Sequence, residues 1–244
     1  MDPAYASRYR DLYQRHWWWR AREAYILTAI ERHLRRYGGN ILDVGCGDGL
    51  FFHRLSRYGA VEGLESDATI VTDEGRRWGK IHMGPFDREF QPAKRYSLIL
   101  MLDVLEHLPD PMLALTHALE LLEPEGILLI TVPAFQALWT THDDLNHHLV
   151  RYTRTTFRSL AASAAMRIDD MRYFNHWLFP AKLAVRVKEQ IWSSSPRLPQ
   201  VPSTLVNAIC YTLTRLEAAL CSRWPLPFGG SLLVVGGPLP VVNQ

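Results

Sequence analysis

Two short stretches of this 244-residue chain concentrate side chains able to do chemistry. The first is "LDVGCGDG" (42–49), with glycines at 45, 47 and 49, Asp43 just ahead of them and Asp48 among them. The second is "WTTHDDLNHHLVRYT" (139–153), which holds His142, His147 and His148 beside Asp143, Asp144, Arg151 and Tyr152. Glycines at this spacing let the backbone approach a ligand closely. A diphosphate is a poor match, because both carboxylates would repel it even with a helix N-terminus behind the loop. The G-x-G-x-G spacing also departs from the G-x-G-x-x-G of dinucleotide sites.

A ligand carrying an ammonium and a sulfonium would be attracted to the same groups, and S-adenosylmethionine is such a ligand. Glu65 lies twenty residues after Gly45 at the end of the next apolar run, where a carboxylate can accept bonds from both ribose hydroxyls. In the second stretch, histidine titrates near neutrality and suits a general base, with a carboxylate neighbour to orient it and stabilise the imidazolium. The expectation is His142 or His148 as base and Asp143 as its partner. Two other readings compete: a structural latch made by Arg151, an aspartate and Tyr152, and a metal site on His142, Asp143 and His148. No H-x-x-x-H face or cysteine partner accompanies them, so no metal is expected.

These residues need a scaffold, and the chain supplies a β-α-β-α rhythm. Residues 12–37 read as one or two helices stopped by Gly38-Gly39. Apolar runs at 40–45, 60–66, 80–84, 97–103 and 126–133 read as strands; 50–59, a short segment ending at Gly75, and 111–122 read as the helices between them. Continuous apolar strands imply a parallel sheet covered on both faces. Ligands of such sheets sit beyond the carboxyl ends of the strands, so residues 134–152, after the fifth strand, should rim the acceptor side. A helix over 153–166, a strand over 167–174, two apolar helices within 176–228 and a last strand over 229–237 complete the pattern.

The expected architecture is a Rossmann-like, doubly wound α/β sheet of seven strands, six parallel and the last antiparallel. One domain is expected, with a helical arm (1–37), a cofactor-binding core (38–175), a helical insertion (176–228) and a final strand and tail (229–244). The insertion reads as extra core, a homodimer face, a lid over a hydrophobic acceptor, or a peripheral membrane contact. A hydrophobic content of 48% argues against disorder. A net charge of +2 argues against a dedicated nucleic-acid binder. The arm is more basic, with eight arginines against four acids, which reads first as a wet helix face. Three cysteines fit a reducing cytoplasm, no leader is visible, and no apolar run approaches the roughly 18 residues that span a bilayer.

With these motifs assembled, the chain resembles the class I S-adenosylmethionine-dependent methyltransferases. "LDVGCGDG" is similar to their first motif, "LESD" (64–67) to their second and "LILMLDVLEHLPDP" (98–111) to their fourth-strand motif. "HWWWRAR" (16–22) and "VPAFQALWTTHDDLNHHLVRYT" (132–153) resemble segments of a small-molecule branch akin to quinone-biosynthesis and natural-product methylases. Ser97 departs from the acid usual at that place. The resemblance implies that Asp43 and the backbone of Gly45, Cys46 and Gly47 hold the methionine part and Glu65 the ribose. It places Phe86 and Asp87 at the adenine, Leu102 and Asp103 beside the donor, and Arg22 at the cofactor carboxylate. His142 and His148 match the family's histidines; His147 is an extra. The implied reaction is methylation, at oxygen, of a small or lipid-like acceptor, with no nucleic-acid partner. A non-methylating cofactor-binding protein and an RNA methylase are the alternatives.

Overall fold

The computed structural model describes residues 3–77, 79–192, 199–221 and 226–240. Seven strands form one sheet: β1 (Gly39–Val44), β2 (Gly59–Glu65), β3 (Lys80–Met83), β4 (Tyr96–Leu102), β5 (Leu122–Pro133), β6 (Met166–Phe174) and β7 (Ser231–Pro238), in the order β3-β2-β1-β4-β5-β7-β6. β7 runs antiparallel to both its neighbours; the pairings among β1 to β5 are parallel. The expected Rossmann-like sheet is therefore present, with its one reversed strand.

Side-chain alternation divides the core into two layers. Leu42, Val44, Ile99 and Met101 face a cluster that includes Leu115, Ala118 and Phe157, from α4 (Pro111–Leu121) and α6 (Arg154–Ser163). Ile41, Leu98 and Leu100 face the opposite cluster, with Ile26 and Ile30 of α2 (Trp17–His33) and Leu55 of α3 (Phe52–Leu55). The central strands, buried on both sides, have no room for the polar alternation of a half-wet sheet. Two of the helices that close these layers, α4 and α6, start on side-chain caps. Asp110 accepts from the Leu113 amide ahead of α4, whose first residue is proline, and Thr153 accepts from the Thr156 amide at α6.

Two expected helices are shorter than their sequence patterns. The 50–59 helix contracts to α3, because Gly59 enters β2, where it pairs with Gly39. The segment before Gly75 forms no helix, and a 3-10 turn follows it at Gly75–Arg77. Its backbone is organised instead by side chains: Asp67 accepts from the Thr69 amide, and Asp48 accepts from the Thr72 amide. The arm forms α1 (Pro3–Arg15) and α2, and the late insertion forms α7 (Leu178–Ile191) and α8 (Thr204–Cys221). Between α5 (Thr141–Leu145) and Tyr152 the polar block crosses the sheet's carboxyl edge, bridged at Ala134–Tyr152. Residues 1–2, 78, 193–198, 222–225 and 241–244 lie outside the described residues.

Candidate active site

β1 ends in the glycine loop. Gly45 has φ +69°, and a Cβ there would lie 2.9 Å from the Val104 side chain, so neither the turn nor the space admits a larger residue. The amides of Gly45 and Cys46 both donate to Leu64 O, at 2.8 and 3.3 Å. Glu65, buried at the end of β2, accepts from the Gly47 amide at 2.9 Å and from the Asp67 amide at 2.9 Å. Asp43 is buried behind the loop. Burial pushes its carboxyl up to about 7, with Arg22 opposing and Glu65 adding to the rise. Asp43 and Glu65 thus present two acids around one short turn.

The end of β4 completes this side. Asp103 holds a left-handed backbone (φ +57°), an unusual conformation for a non-glycine residue at a strand end. Its carboxylate accepts from Arg22 Nη2 at 2.7 Å and from Thr131 Oγ1 at 3.0 Å. Arg22, half-buried on α2, also donates to Thr131 Oγ1. A pocket between the arm and the loop is lined by Tyr9, Trp19, Arg22, Asp43, Gly45 and Leu102. Of the arm's arginines, Arg10 pairs with Asp48 and Glu74, Arg22 with Asp103, and Arg20 lies over the Tyr211 ring.

Asp48 corrects part of the sequence argument. Its carboxylate is taken by Arg10 and by the amide and hydroxyl of Thr72, so it braces the arm against the 67–75 turn. The anionic character of the site comes from Asp43 and Glu65. Ser97 also gains an explanation. Its hydroxyl donates to Asn40 O at 3.0 Å and lies so close to Gly39 that a Cβ there would collide with it.

On the far side of β5 the polar block closes around Asp143, which is fully buried. Asp143 Oδ1 accepts from Arg151 Nε and Oδ2 from Arg151 Nη2, both at 2.9 Å. Oδ1 lies 2.7 Å from His148 Nδ1, and Oδ2 accepts from the Thr140 amide at 2.8 Å. Burial works against ionisation, but the bonds from His148 and Arg151 and the guanidinium charge outweigh it and hold the carboxyl well below the usual range. Arg151 Nη1 donates to Ala134 O, and Tyr152 OH to Leu105 O. The latch and the histidine pair are therefore one structure sharing one carboxylate. His142 is not bonded to Asp143; it is exposed, next to Asn146. His147 is exposed, in a left-handed turn.

Other expected positions are less tied to the pocket. The Phe86 ring packs against Phe90 and His117. Asp87 accepts from the Glu89 amide, an Asx turn. Residues outside the sequence reading also enter. Thr131 bridges Arg22 and Asp103. Lys182, on α7, lies in the field of Arg151, Asp143 and Asp103; burial, then Arg151, push its ammonium down to about 8. Glu106 is wholly buried, both its oxygens lack hydrogen-bond partners, and burial followed by the charge of Asp103 raises its pKa well above the carboxylate range. Glu106, His107 and His148 bring ligand-type atoms within 4.8 Å of one another, a different trio from the one weighed in the sequence. His107 lies just beyond the fourth strand, a position where a side chain can face the site; nothing in the sequence ties Lys182 or Thr131 to the site.

Sequence comparison places the chain in a family. The profile of a family described as "Methyltransferase domain" matches residues 18–181, more than half of the chain. The ubiquinone biosynthesis O-methyltransferase of Coxiella burnetii (strain Dugway 5J108-111) is 28% identical over 113 residues, 43% of this chain and 48% of that protein. Its namesake from Vibrio atlanticus (strain LGP32) is 28% identical over 144 residues, 52% of this chain and 60% of that protein. The chain thus spans about half the length of these curated relatives. A TehB-like SAM-dependent methyltransferase structure from Corynebacterium glutamicum superposes with a TM-score of 0.56 at 15% identity, covering 97% of each chain, which supports the fold. The chain belongs to the methyltransferase-domain family, within the class I S-adenosylmethionine-dependent methyltransferases.

Proposed function

We propose that this protein methylates a hydroxyl of a small or lipid-like acceptor, with His148, oriented by Asp143, taking the proton. The carrying observation is the 2.7 Å contact between His148 Nδ1 and a buried, ionised Asp143 on the acceptor side of the sheet edge. Asp143 fixes Nδ1 as the protonated nitrogen and leaves Nε2 to accept. The O-methyltransferase names of the partial relatives support oxygen as the target. Asp43 and the backbone of Gly45, Cys46 and Gly47 hold the methionine part, and Glu65 the ribose. Leu102, Asp103 and Arg22 flank the donor, and Phe86 and Asp87 the adenine. His142 stands at the acceptor mouth. The site works without a metal, and the protein acts in the cytoplasm. The arm and the 176–228 insertion act as walls around the 38–175 core.

The buried acid behind a glycine turn fits a cationic ligand and would repel a phosphate. When bound, S-adenosylmethionine supplies a methyl carbon on a sulfonium that leaves as a neutral thioether. The acceptor oxygen forms the new O–C bond as the S–C bond breaks and its pair stays on sulfur; the hydroxyl proton passes to His148 Nε2. The chain's work is to align the acceptor, worth up to roughly 7–11 kcal/mol in ideal cases, and to remove the proton.

Calorimetry with S-adenosylmethionine and its demethylated product tests the donor site. Both should bind, while NADH and ATP should not; the reverse pattern overturns the reading. Affinity should also depend on pH. Asp43 is protonated below about 7 in the free protein, so affinity should fall as pH drops through that value, approaching tenfold per unit. 5′-Methylthioadenosine, which lacks the amino-acid part, should bind with no such dependence. Glu65→Ala should weaken the donor by roughly 10- to 100-fold, the worth of hydrogen bonds to a charged group. An unchanged dissociation constant would remove Glu65 from the ribose.

A further inference from the structure

The outward face of α8 has no partner among the described residues. Leu205, Ile209, Leu213, Leu216 and Leu220 recur at helical spacing and are 47–70% exposed. The opposite face carries the polar contacts to the body. Asn207 bonds the Trp17 amide and Arg15 O, and Thr214 Oγ1 accepts from Trp177 Nε1. The helix is therefore mounted with its apolar stripe away from the protein. α7 repeats the device with Leu183, Val187 and Ile191, and the exposed Trp192 follows it. No helix among the described residues is long and apolar enough to cross a membrane. A patch of this size on a non-spanning helix marks a docking face.

The charges around the stripes select the occupant. The only acids on the two helices, Glu189 and Glu217, are both turned inward: Glu189 accepts from the amide and hydroxyl of Thr141, and Glu217 from the amides of His176 and Trp177. The cations Arg186, Lys188 and Arg215 pair with no carboxylate among the described residues. Beside α8 a cavity of about 220 Å³ is lined by Arg32, Arg172 and Arg215 over Ala218 and Leu233. Its one carboxylate, Asp170, is already bound by Arg172 at 2.7 Å and lies 3.2 Å from His33. A second copy packed symmetrically on this face would set cation against cation with no outward acid to pair. We propose that α8, assisted by α7, docks onto an anionic phospholipid surface, its leucines entering the acyl boundary and the arginine cavity taking a headgroup phosphate.

The test is co-sedimentation of the full chain with vesicles of phosphatidylcholine alone or with about one third phosphatidylglycerol, at low and high salt. Wild type should partition into the anionic vesicles and be released by salt. Ile209→Glu/Leu216→Glu should lower that partition by at least roughly tenfold, with thermal melting and binding of the demethylated cofactor unchanged. Lys188→Ser/Arg215→Ser should abolish the preference for anionic over neutral vesicles. Equal partition into both vesicles, or none, overturns the proposal. So does a homodimer in sedimentation equilibrium that Ile209→Glu/Leu216→Glu converts to monomer, which would give the face to a second copy. None of these readouts uses methyl transfer, so the acceptor chemistry can fail independently.

Discussion

Replacing Asp143 by alanine is expected to lower the free energy of unfolding by about 3–5 kcal/mol, the cost of stranding a buried guanidinium. Asp143 is fully buried, and Arg151, itself nearly so, spends two nitrogens on it. The same change uncaps α5 and frees His148. Equilibrium denaturation of wild type and variant measures the difference, and a loss under 1 kcal/mol would show that Arg151 finds water or another acceptor. Asp143→Leu/Arg151→Met should recover most of the stability, because two apolar residues leave no charge unpaired. It should not recover turnover. The pH dependence has a definite sign. The folded Asp143 carboxyl titrates below its unfolded value of about 4, so its contribution is complete above that pH and is lost as pH falls through the folded value. The gap between wild type and Asp143→Ala should therefore be constant near neutrality and close in acid.

The sheet was legible because a buried parallel strand leaves an unambiguous trace. "SLILML" can be apolar throughout only where both faces are covered, and β4 is that strand. Glu65 was legible for the same reason: strand length fixes where the next carboxyl end falls. Local turns were less so. The segment before Gly75 has helical composition, yet Asp48 reaches across to Thr72 and organises it from outside. Asp48 itself misled, because sequence shows that an acid is near a ligand loop but not which cation has already claimed it. In the polar block the residue types pointed to chemistry and to a latch as rival readings. Only the fold shows one buried carboxylate contacting both Arg151 and His148, so the latch and the histidine pair are not alternatives. Lys182 and Thr131 were beyond reach. Each enters from an element distant in sequence, and neither has a composition that marks it.

His148→Ala is expected to lower turnover by about 10²–10⁴-fold, the range of a positioned general base, while leaving donor affinity and stability near wild type. Stability should hold because the Asp143–Arg151 pair and the Thr140 cap survive the change. The loss should be selective. For acceptors whose hydroxyl is already ionised at assay pH there is no proton to remove, so a panel of hydroxyarenes graded in acidity should show the deficit shrink as acidity rises. Alignment alone would give a uniform loss across the panel. His142→Ala should cost much less, because that ring has no bond to Asp143 and stands in solvent. A chelator should leave wild-type turnover unchanged; chelator-sensitive turnover would move proton removal to a metal near Glu106, His107 and His148. Turnover of His148→Ala within threefold of wild type across the whole panel would show that the histidine–aspartate pair holds the sheet edge together and does no chemistry.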